Sequence, residues 1–574
     1  MKKIPLLLTL TMISILSFAQ KQTITWGEEF KMKKGSSDLT VIHTDKSGVY
    51  LQEGHLAMKS YFVIGASFRE SATLVKLDKS LNELYRTDFN KELKGKEFVE
   101  FFPFQDKLLI IASEYRKSEK TMELFGAEID KNTGLTTGTW KPITSFQKDD
   151  KKSEIEFKLI PNTDTTKIIL VSTITGKEKN SFLVQEFDGS LKAASKPATI
   201  TNEFEAKTYQ LEDVLVTTNR KTILVGRIME YRQGKKKKEK FLDFVNYNIR
   251  IYDVTGKQEN EINTNIKDKW LSSTKLMMGR NNELILASFY SKDRKSKTTE
   301  GLLVERIDPN TAKVLSSAEK QINNSLITTD NGETDKEEDD DKESREERKE
   351  REKLAKLKDE GESFSRYMKF QNIFYTKDNG LVLLAEDYHA WTYTSASTRT
   401  GTNGFGTGFD YYTNYVYDCR DIMMVKLDAS NNISWLQILP KNQREFYRVP
   451  GSAGINYNYF FGGDVRPFYA GFGAIQSPSG IQIFFNDRQN NADVTQPGKK
   501  VNRLMNFNKS DCFVVTLDEV TGKFQRKSFF TNWNMPVIAM PRLGSVIGSE
   551  MYLVGRYDRS LAKTRVSVGR ITTK

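Results

Sequence analysis

Apolar residues recur along this chain in short runs that end on a small residue and then give way to polar positions. The runs are Tyr61-Phe-Val-Ile-Gly65, Leu108-Leu-Ile-Ile-Ala112, Ile168-Ile-Leu-Val-Ser172, Ile223-Leu-Val-Gly226, Leu284-Ile-Leu-Ala287 and Leu381-Val-Leu-Leu-Ala385. Two more are Ile481-Gln-Ile-Phe-Phe485, without the small residue, and Met551-Tyr-Leu-Val-Gly555. Runs so short and so rich in β-branched residues predict buried strands, not helices.

A second element follows most of these runs after a variable gap: a strand ending in Asp, a turn, and another strand. Its copies are Leu74-Val-Lys-Leu-Asp78, Phe125-Gly-Ala-Glu-Ile-Asp130, Leu183-Val-Gln-Glu-Phe-Asp188 and Ile249-Arg-Ile-Tyr-Asp253. They continue as Leu303-Val-Glu-Arg-Ile-Asp308, Met424-Val-Lys-Leu-Asp428 and Val514-Val-Thr-Leu-Asp518, and the last copy, Val566 to Ile571, lacks the Asp. In Asp130-Lys-Asn-Thr-Gly134, Asp253-Val-Thr-Gly256 and Asp518-Glu-Val-Thr-Gly522 the carboxylate can accept a local amide, and Gly supplies the positive φ. These are hairpin turns; a Ca²⁺ loop would need further oxygen ligands at set spacing, which are absent.

Strands at this spacing, with little helical pattern between them, predict an all-β fold: one β-propeller of four-stranded blades, eight by this count with seven as the alternative. The last copy has no outer strand of its own. Thr23-Ile-Thr-Trp26 looks like Asn432-Ile-Ser-Trp435 after the sixth turn, so the N-terminal strand is expected to complete the last blade and close the ring. Through its Asp…Thr-Gly turns the chain resembles secreted bacterial propellers of the broad quinoprotein-like kind, over the whole mature length. The Trp that quinone-dependent dehydrogenases repeat after the turn is mostly missing: Lys257 is followed by Gln-Glu-Asn and Lys523 by Phe-Gln-Arg. No cofactor is therefore expected.

Three segments interrupt the repeat within residues 20–574. Residues 330–362 hold sixteen acidic and nine basic residues and read as a solvated, partly helical or disordered loop between blades five and six, a possible arm for a basic partner. Residues 393–418, inside blade six, mix Gly401, Gly404, Gly406 and Gly408 with Tyr411, Tyr412, Tyr415 and Tyr417. Residues 451–473 carry Tyr457, Tyr459, Phe460, Phe461, Phe468 and Tyr469. The two aromatic segments either form one contact surface, which Tyr suits with its large area and polar tip, or pack on each other as a cap. Lys235 to Lys238 reads as a solvated hairpin tip.

Charge and the N-terminus set the compartment. Lys2 and Lys3, the apolar stretch Ile4–Leu16 and Ser17-Phe-Ala19 form a secretory signal pattern, with residues 1–19 removed and the mature chain in the periplasm, at the outer-membrane periphery or secreted. The formal net charge is +12, and the acidic insertion is net negative, so the remaining body is strongly basic. That favours anionic glycans or acidic envelope or secreted proteins, with peripheral membrane association open and nucleic acid a poor fit to the compartment. Export permits a disulfide between Cys419 and Cys512, but their different offsets from neighbouring strands favour two separately buried thiols.

Chemistry is sparse. The three histidines, His43, His55 and His389, exclude the usual multi-histidine metal sites, and no metal site is expected. There is no Gly-x-Ser-x-Gly elbow. The one suggestive cluster is Glu386-Asp387-Tyr388-His389 with Trp391, matched on the next blade by Asn486 and Asp487. Asp387 and Asp487 at a channel mouth would suit glycoside hydrolysis. The main expectation is a non-enzymatic interaction module, with His389, Trp391 and the tyrosines in contact and a transport or secretion barrel as one conceivable partner; the alternative is a carbohydrate-active enzyme.

Overall fold

The computed structural model describes residues 22–573 apart from 34–35, 62–64, 148–153, 163, 177, 195, 206, 218, 234–239, 264–268, 280–282, 292–297, 323–363, 366–367, 401–406, 452–465 and 559–563. Eight antiparallel four-stranded blades form a β-propeller. Blade one consists of Ser36–Asp45, Gly48–Tyr61, Gly65–Leu77 and Glu83–Asp88, in that order across the sheet. Blade six repeats the plan with Met368–Tyr375, Leu381–Thr400, Thr407–Leu427 and Ile433–Gly451, and blade seven with Phe472–Ser477, Gly480–Asp487, Asp511–Leu517 and Phe524–Thr531. In blade eight the first strand is split into Ile538–Ala539 and Ser545–Ile547, followed by Glu550–Tyr557 and Arg565–Thr572.

The N-terminal strand Thr23–Trp26 pairs antiparallel with Arg565–Thr572, from Thr23 opposite Thr572 to Trp26 opposite Gly569, and so supplies the outer strand of blade eight. Closure is also visible in the core, which is divided into one cluster per blade boundary. Ile285, Ala287 and Phe289 of blade five pack on Leu381, Leu383 and Ala385 of blade six. Leu39, Val41 and Val49 of blade one pack on Tyr552, Val554 and Val568 of blade eight. Second strands lie between two neighbouring blades, so both their faces are apolar, which is why they read as continuous runs. Each fully buried Leu, Ile or Val there contributes about 1.5–3 kcal/mol.

Seven of the eight small-residue runs coincide with second strands. The first does not: Tyr61 ends the second strand of blade one and pairs with Gly65 beside the hairpin tip. The equivalent stretch is Val49-Tyr-Leu-Gln-Glu53, opposite Leu77 to Thr73. Its apolar pattern breaks because Glu53, fully buried, accepts from the Lys33 amide, the Ser36 hydroxyl and the Arg86 guanidinium.

The small residue that ends a run makes room for its neighbour. A Cβ on Gly226 would stand 2.0 Å from Cζ of Tyr209, a fully buried ring. Gly226→Ala should therefore destabilise the protein by about 1–3 kcal/mol through overpacking. Chemical denaturation of the variant checks this, and an unchanged midpoint would show that the ring yields freely. The Asp turns form as read: Asp253 Oδ1 accepts from the amides of Thr255 (2.8 Å) and Lys257 (3.0 Å), and Gly256 takes φ +86°. Because blades are antiparallel, these turns lie at one end of the ring. The hairpins between second and third strands, and the links to the next blade, lie at the other. The described residues that flank all three insertions lie at that second end.

Candidate functional site

At the insertion-bearing end, blade six extends into a three-stranded ribbon. Its second and third strands stay paired from Leu381 opposite Leu427 out to Thr400 opposite Thr407. The fourth follows the third as far as Gly451 opposite Tyr411. Bulges between Glu386 and Tyr388, and between Arg420 and Ile422, mark where the blade becomes ribbon; such bulges re-aim a strand. The Gly- and Tyr-rich composition thus continues two strands, with side chains alternating between two faces.

Register assigns those faces. On one, rows from base to tip run His389–Asp418–Arg444, Trp391–Val416–Phe446, Tyr393–Asn414–Arg448, and then Ser395 beside Tyr412. On the other stand Tyr388, Cys419 and Gln443, then Tyr417 and Glu445, then Tyr415 and Tyr447, and Tyr411 towards the tip. The residues expected to act together are therefore split, with His389, Trp391 and Tyr412 on the first face and Tyr411, Tyr415 and Tyr417 on the second.

Buried charges lock the base. Lys441 Nζ donates to Glu386 (2.7 Å), to the Cys419 carbonyl (3.0 Å) and to Gln443 (2.8 Å), and both charged side chains are fully buried. Burial pushes the Glu386 carboxyl up, against the pull of Lys441 and Arg542. Arg444 grips Asp418 through two bonds of 2.7 and 3.0 Å, and Arg420 adds a third of 3.1 Å. Burial alone would raise the Asp418 carboxyl, but Arg444, Arg420 and Arg503 outweigh it and hold it well below the usual carboxylate range.

The second face is covered near its base by the chain entering blade seven. Glu445 accepts from the amides of Phe468 (2.8 Å), Tyr469 (2.6 Å) and Ala470 (3.1 Å) and from Arg466 (3.1 Å). The Arg466 guanidinium stacks 3.6 Å from the Tyr447 ring centre and 4.3 Å from that of Phe468. The end of the second aromatic insertion thus does pack on the base of the first. Tyr417 is buried there, whereas Tyr411 is 56% exposed. Tyr457, Tyr459 and Phe460 lie outside the described residues, as do the acidic run and Lys235–Lys238, although Gln233 and Lys240 pair on either side of the latter.

The first face is more open. His389 and Trp391 stack at 4.7 Å, Arg444 lies 5.3 Å from the Trp391 ring, and Arg448 lies 3.8 Å from that of Tyr412. Phe446 is 41% exposed. Along the free edge of the fourth strand runs a segment of blade seven: the Arg444 amide donates to the Leu504 carbonyl and the Leu504 amide to Asn442, both at 2.9 Å.

The two carboxylates of the enzyme alternative differ in setting. Asp487 is fully buried, paired with the equally buried Arg526, and accepts from the Arg488 amide and Asn491 (2.7 and 2.8 Å). Asp387 is half-buried. Cys419 and Cys512 are both buried and free, with burial pushing each thiol up. Among the described residues no His, Cys, Asp and Glu cluster could hold a metal ion, and no helix is long and apolar enough to cross a membrane. Residues 441–445 are the element that sequence reasoning missed. Five successive polar residues in a strand carry no signal in the sequence that they are buried.

No family model matches the chain, and no curated protein matches it in sequence. Among solved structures it is similar to a protein of unknown function from Dyadobacter fermentans, at 8% identity and TM-score 0.30, covering 74% of this chain and 96% of that one. It is also similar to the polysaccharide lyase Uly1, at 9% identity and TM-score 0.32, covering 83% and 89%. The GH93 α-L-arabinofuranosidase of Fusarium graminearum is a further likeness, at 9% identity and TM-score 0.29, covering 63% and 93%. Likenesses this distant leave function to be read from the site itself.

Proposed function

We propose that this protein is an exported, non-enzymatic interaction module of the periplasm or outer membrane, and that the blade-six ribbon takes hold of its partner. The partner is an envelope or secreted protein, a transport or secretion barrel among them, or an anionic glycan. The supporting observation is the contrast between base and surface. Buried ion pairs fix the ribbon where it leaves the blade, while exposed Tyr411 and Phe446 and the cation Arg448 are presented further out. A stiff support carrying aromatic and cationic groups is what a binding surface requires. In contrast, Asp487, one of the two carboxylates that glycoside hydrolysis would use, is tied up by Arg526. Export fits the closure of the ring, because cleavage after Ala19 leaves the strand Thr23–Trp26 almost at the mature N-terminus.

The test shortens the ribbon while keeping its base. Thr394 and Thr413 pair directly, so residues 395–412 can be replaced by an Asn-Gly turn, the natural two-residue hairpin link. The shortened and intact proteins are then used as bait in native envelope extract. Loss of a specific partner at an unchanged melting temperature is the expected result. Equal recovery by both proteins would remove the tip of the ribbon, Tyr411 with it, from the binding function.

A further inference from the structure

We infer that the notch where the ring closes, between the outer parts of blades seven and eight, is a binding site for a small sugar acid. It lies at the end of the ring that carries the Asp turns, away from the ribbon, and goes beyond the ribbon's proposed role. A cavity of about 370 Å³ opens there. Its walls include Val514 and Thr516 from the third strand of blade seven, Lys523, Gln525 and Lys527 from the start of the fourth, and Gln22, which precedes the closing strand.

The cavity follows from how the ring closes. In blade one, Lys76 stands opposite Tyr85, whose hydroxyl donates to the Lys131 carbonyl at 3.2 Å and whose ring lies against Gly134 in the Asp turn of blade two. In blade six, Lys426 stands opposite Trp435, which donates to the Val520 carbonyl at 3.2 Å and lies against Gly522 in the turn of blade seven. The same register position in blade seven pairs Thr516 with Gln525. A short hydroxyl and a carboxamide thus replace a long amine and an aromatic ring. Blade eight has no Asp turn to receive a ring, because its third and fourth strands, Arg565–Thr572 and Thr23–Trp26, are the last and the first of the chain. A place that packing fills in blades one and six is left open here.

The lining selects the class of ligand. Ligand clefts run from about 300 to 1,000 Å³, so this one suits a ring-sized molecule. Its charged groups are Lys523, Lys527 and Asp518. Asp518 accepts from the Val520 and Thr521 amides (2.9 and 2.8 Å) and is offset by the Lys523 charge. Among the described residues no carboxylate pairs with Lys527. One cation is therefore left for a ligand, which matches a single carboxylate. A phosphate would call for more donors, and the turn amides that could supply them are taken by Asp518. The carboxamides of Gln22 and Gln525 and the Thr516 hydroxyl complete the polar lining. Such groups both donate and accept, as sugar hydroxyls do, and an apolar ligand would bury them unpaired. Gln482 stands opposite Thr516 on the same side of the sheet, is 1% exposed, and its Oε1 has no hydrogen-bond partner among the described residues. A buried acceptor beside the cavity suits a ligand rich in hydroxyl donors.

Calorimetric titration of the whole mature protein with D-galacturonate, D-glucuronate, the two neutral sugars and acetate tests this. At least one uronate should bind, its neutral counterpart about tenfold more weakly, and acetate not at all. Lys527→Gln should bring the uronate down to the level of the neutral sugar. Gln525→Trp, which gives blade seven the ring that blade six has in Trp435, should fill the cavity and abolish binding at an unchanged or higher melting temperature. Lys527 is exposed, so its variant decides the matter even if the Trp variant fails to fold. Failure of both uronates to bind overturns the inference. So does uronate binding that a folded Gln525→Trp protein retains, or that Lys527→Gln leaves intact. The protein with the shortened ribbon should bind the uronate as the intact one does; loss of binding there would move the ligand to the ribbon and overturn this site.

Discussion

Replacing Arg526 by Met is expected to lower the stability of the protein by about 3–5 kcal/mol, because it takes the countercharge from the buried Asp487 carboxyl. Both side chains of the pair are fully buried. The guanidinium also donates to the carbonyls of Pro440 (3.3 Å) and Val494 (3.4 Å) and lies over the Phe513 and Phe485 rings at 4.6 and 5.1 Å. Pro440 belongs to the outer strand of blade six and Arg526 to that of blade seven, so the guanidinium bridges the two blades while its ion pair stays within blade seven. Met fills similar space without the charge. In the double variant Asp487→Leu/Arg526→Met no buried charge is left over, and most of the stability should return. Denaturant unfolding of the two single variants and the double one measures the coupling. A cost below about 1 kcal/mol for Arg526→Met would place the pair among solvent-screened bridges and reopen Asp487 to proton chemistry.

The same region shows where sequence reasoning reached and where it stopped. Blade number, strand order and ring closure were legible because each depends on local signals repeated along the chain. Second strands are covered on both sides, so they cannot alternate apolar with polar residues, and third strands end in an Asp that builds its own turn. The exception, blade one, is instructive. Its buried Glu53 interrupts the apolar run, and the eye moves to Tyr61–Gly65 beyond it. Pairing of buried charges between the strands of one blade left no comparable trace. Lys441 meets Glu386 across 55 residues and Arg526 meets Asp487 across 39, and nothing in Lys441-Asn-Gln-Arg-Glu445 separates a buried polar strand from an exposed one. The Gly- and Tyr-rich insertion was recognised as a departure from the repeat, but its alternation was not read as a ribbon. Two faces with different partners were thus read together, as one contact surface or as a cap.

Removing the residues before Glu28 is expected to be the most damaging truncation of the ring. The strand Thr23–Trp26 is hydrogen-bonded along Arg565–Thr572, and the Gly27 amide reaches the Val568 carbonyl at 2.9 Å. Trp26 meets Phe530 of blade seven edge-on at 5.7 Å, and Gly569 gives it room, since a Cβ there would lie 3.0 Å from the indole. A few hydrogen bonds at about 1 kcal/mol each, together with the burial of Ile24 and Trp26 at roughly 1–3 kcal/mol apiece, put the loss on the order of 5 kcal/mol. A second consequence does not depend on that total: the last strand keeps Phe30 and Lys31 opposite Val566 and Arg565 but becomes an open edge beyond them, and open edges pair with other molecules. The truncated protein should therefore melt earlier and elute from a sizing column as concentration-dependent oligomers, whereas Thr25→Ala, on the exposed side of the same strand, should do neither. The next segment sharpens the comparison. Met32 is buried in the cluster shared by blades eight and one, and Lys33 bonds Asp88 of blade one, so a chain beginning at Glu28 keeps the link between first and last blades while losing the closing strand. If that chain remained monomeric with an unchanged melting temperature, the ring would be held by its blade-to-blade cores alone, and the N-terminal strand would be needed neither to close it nor to guard its edge.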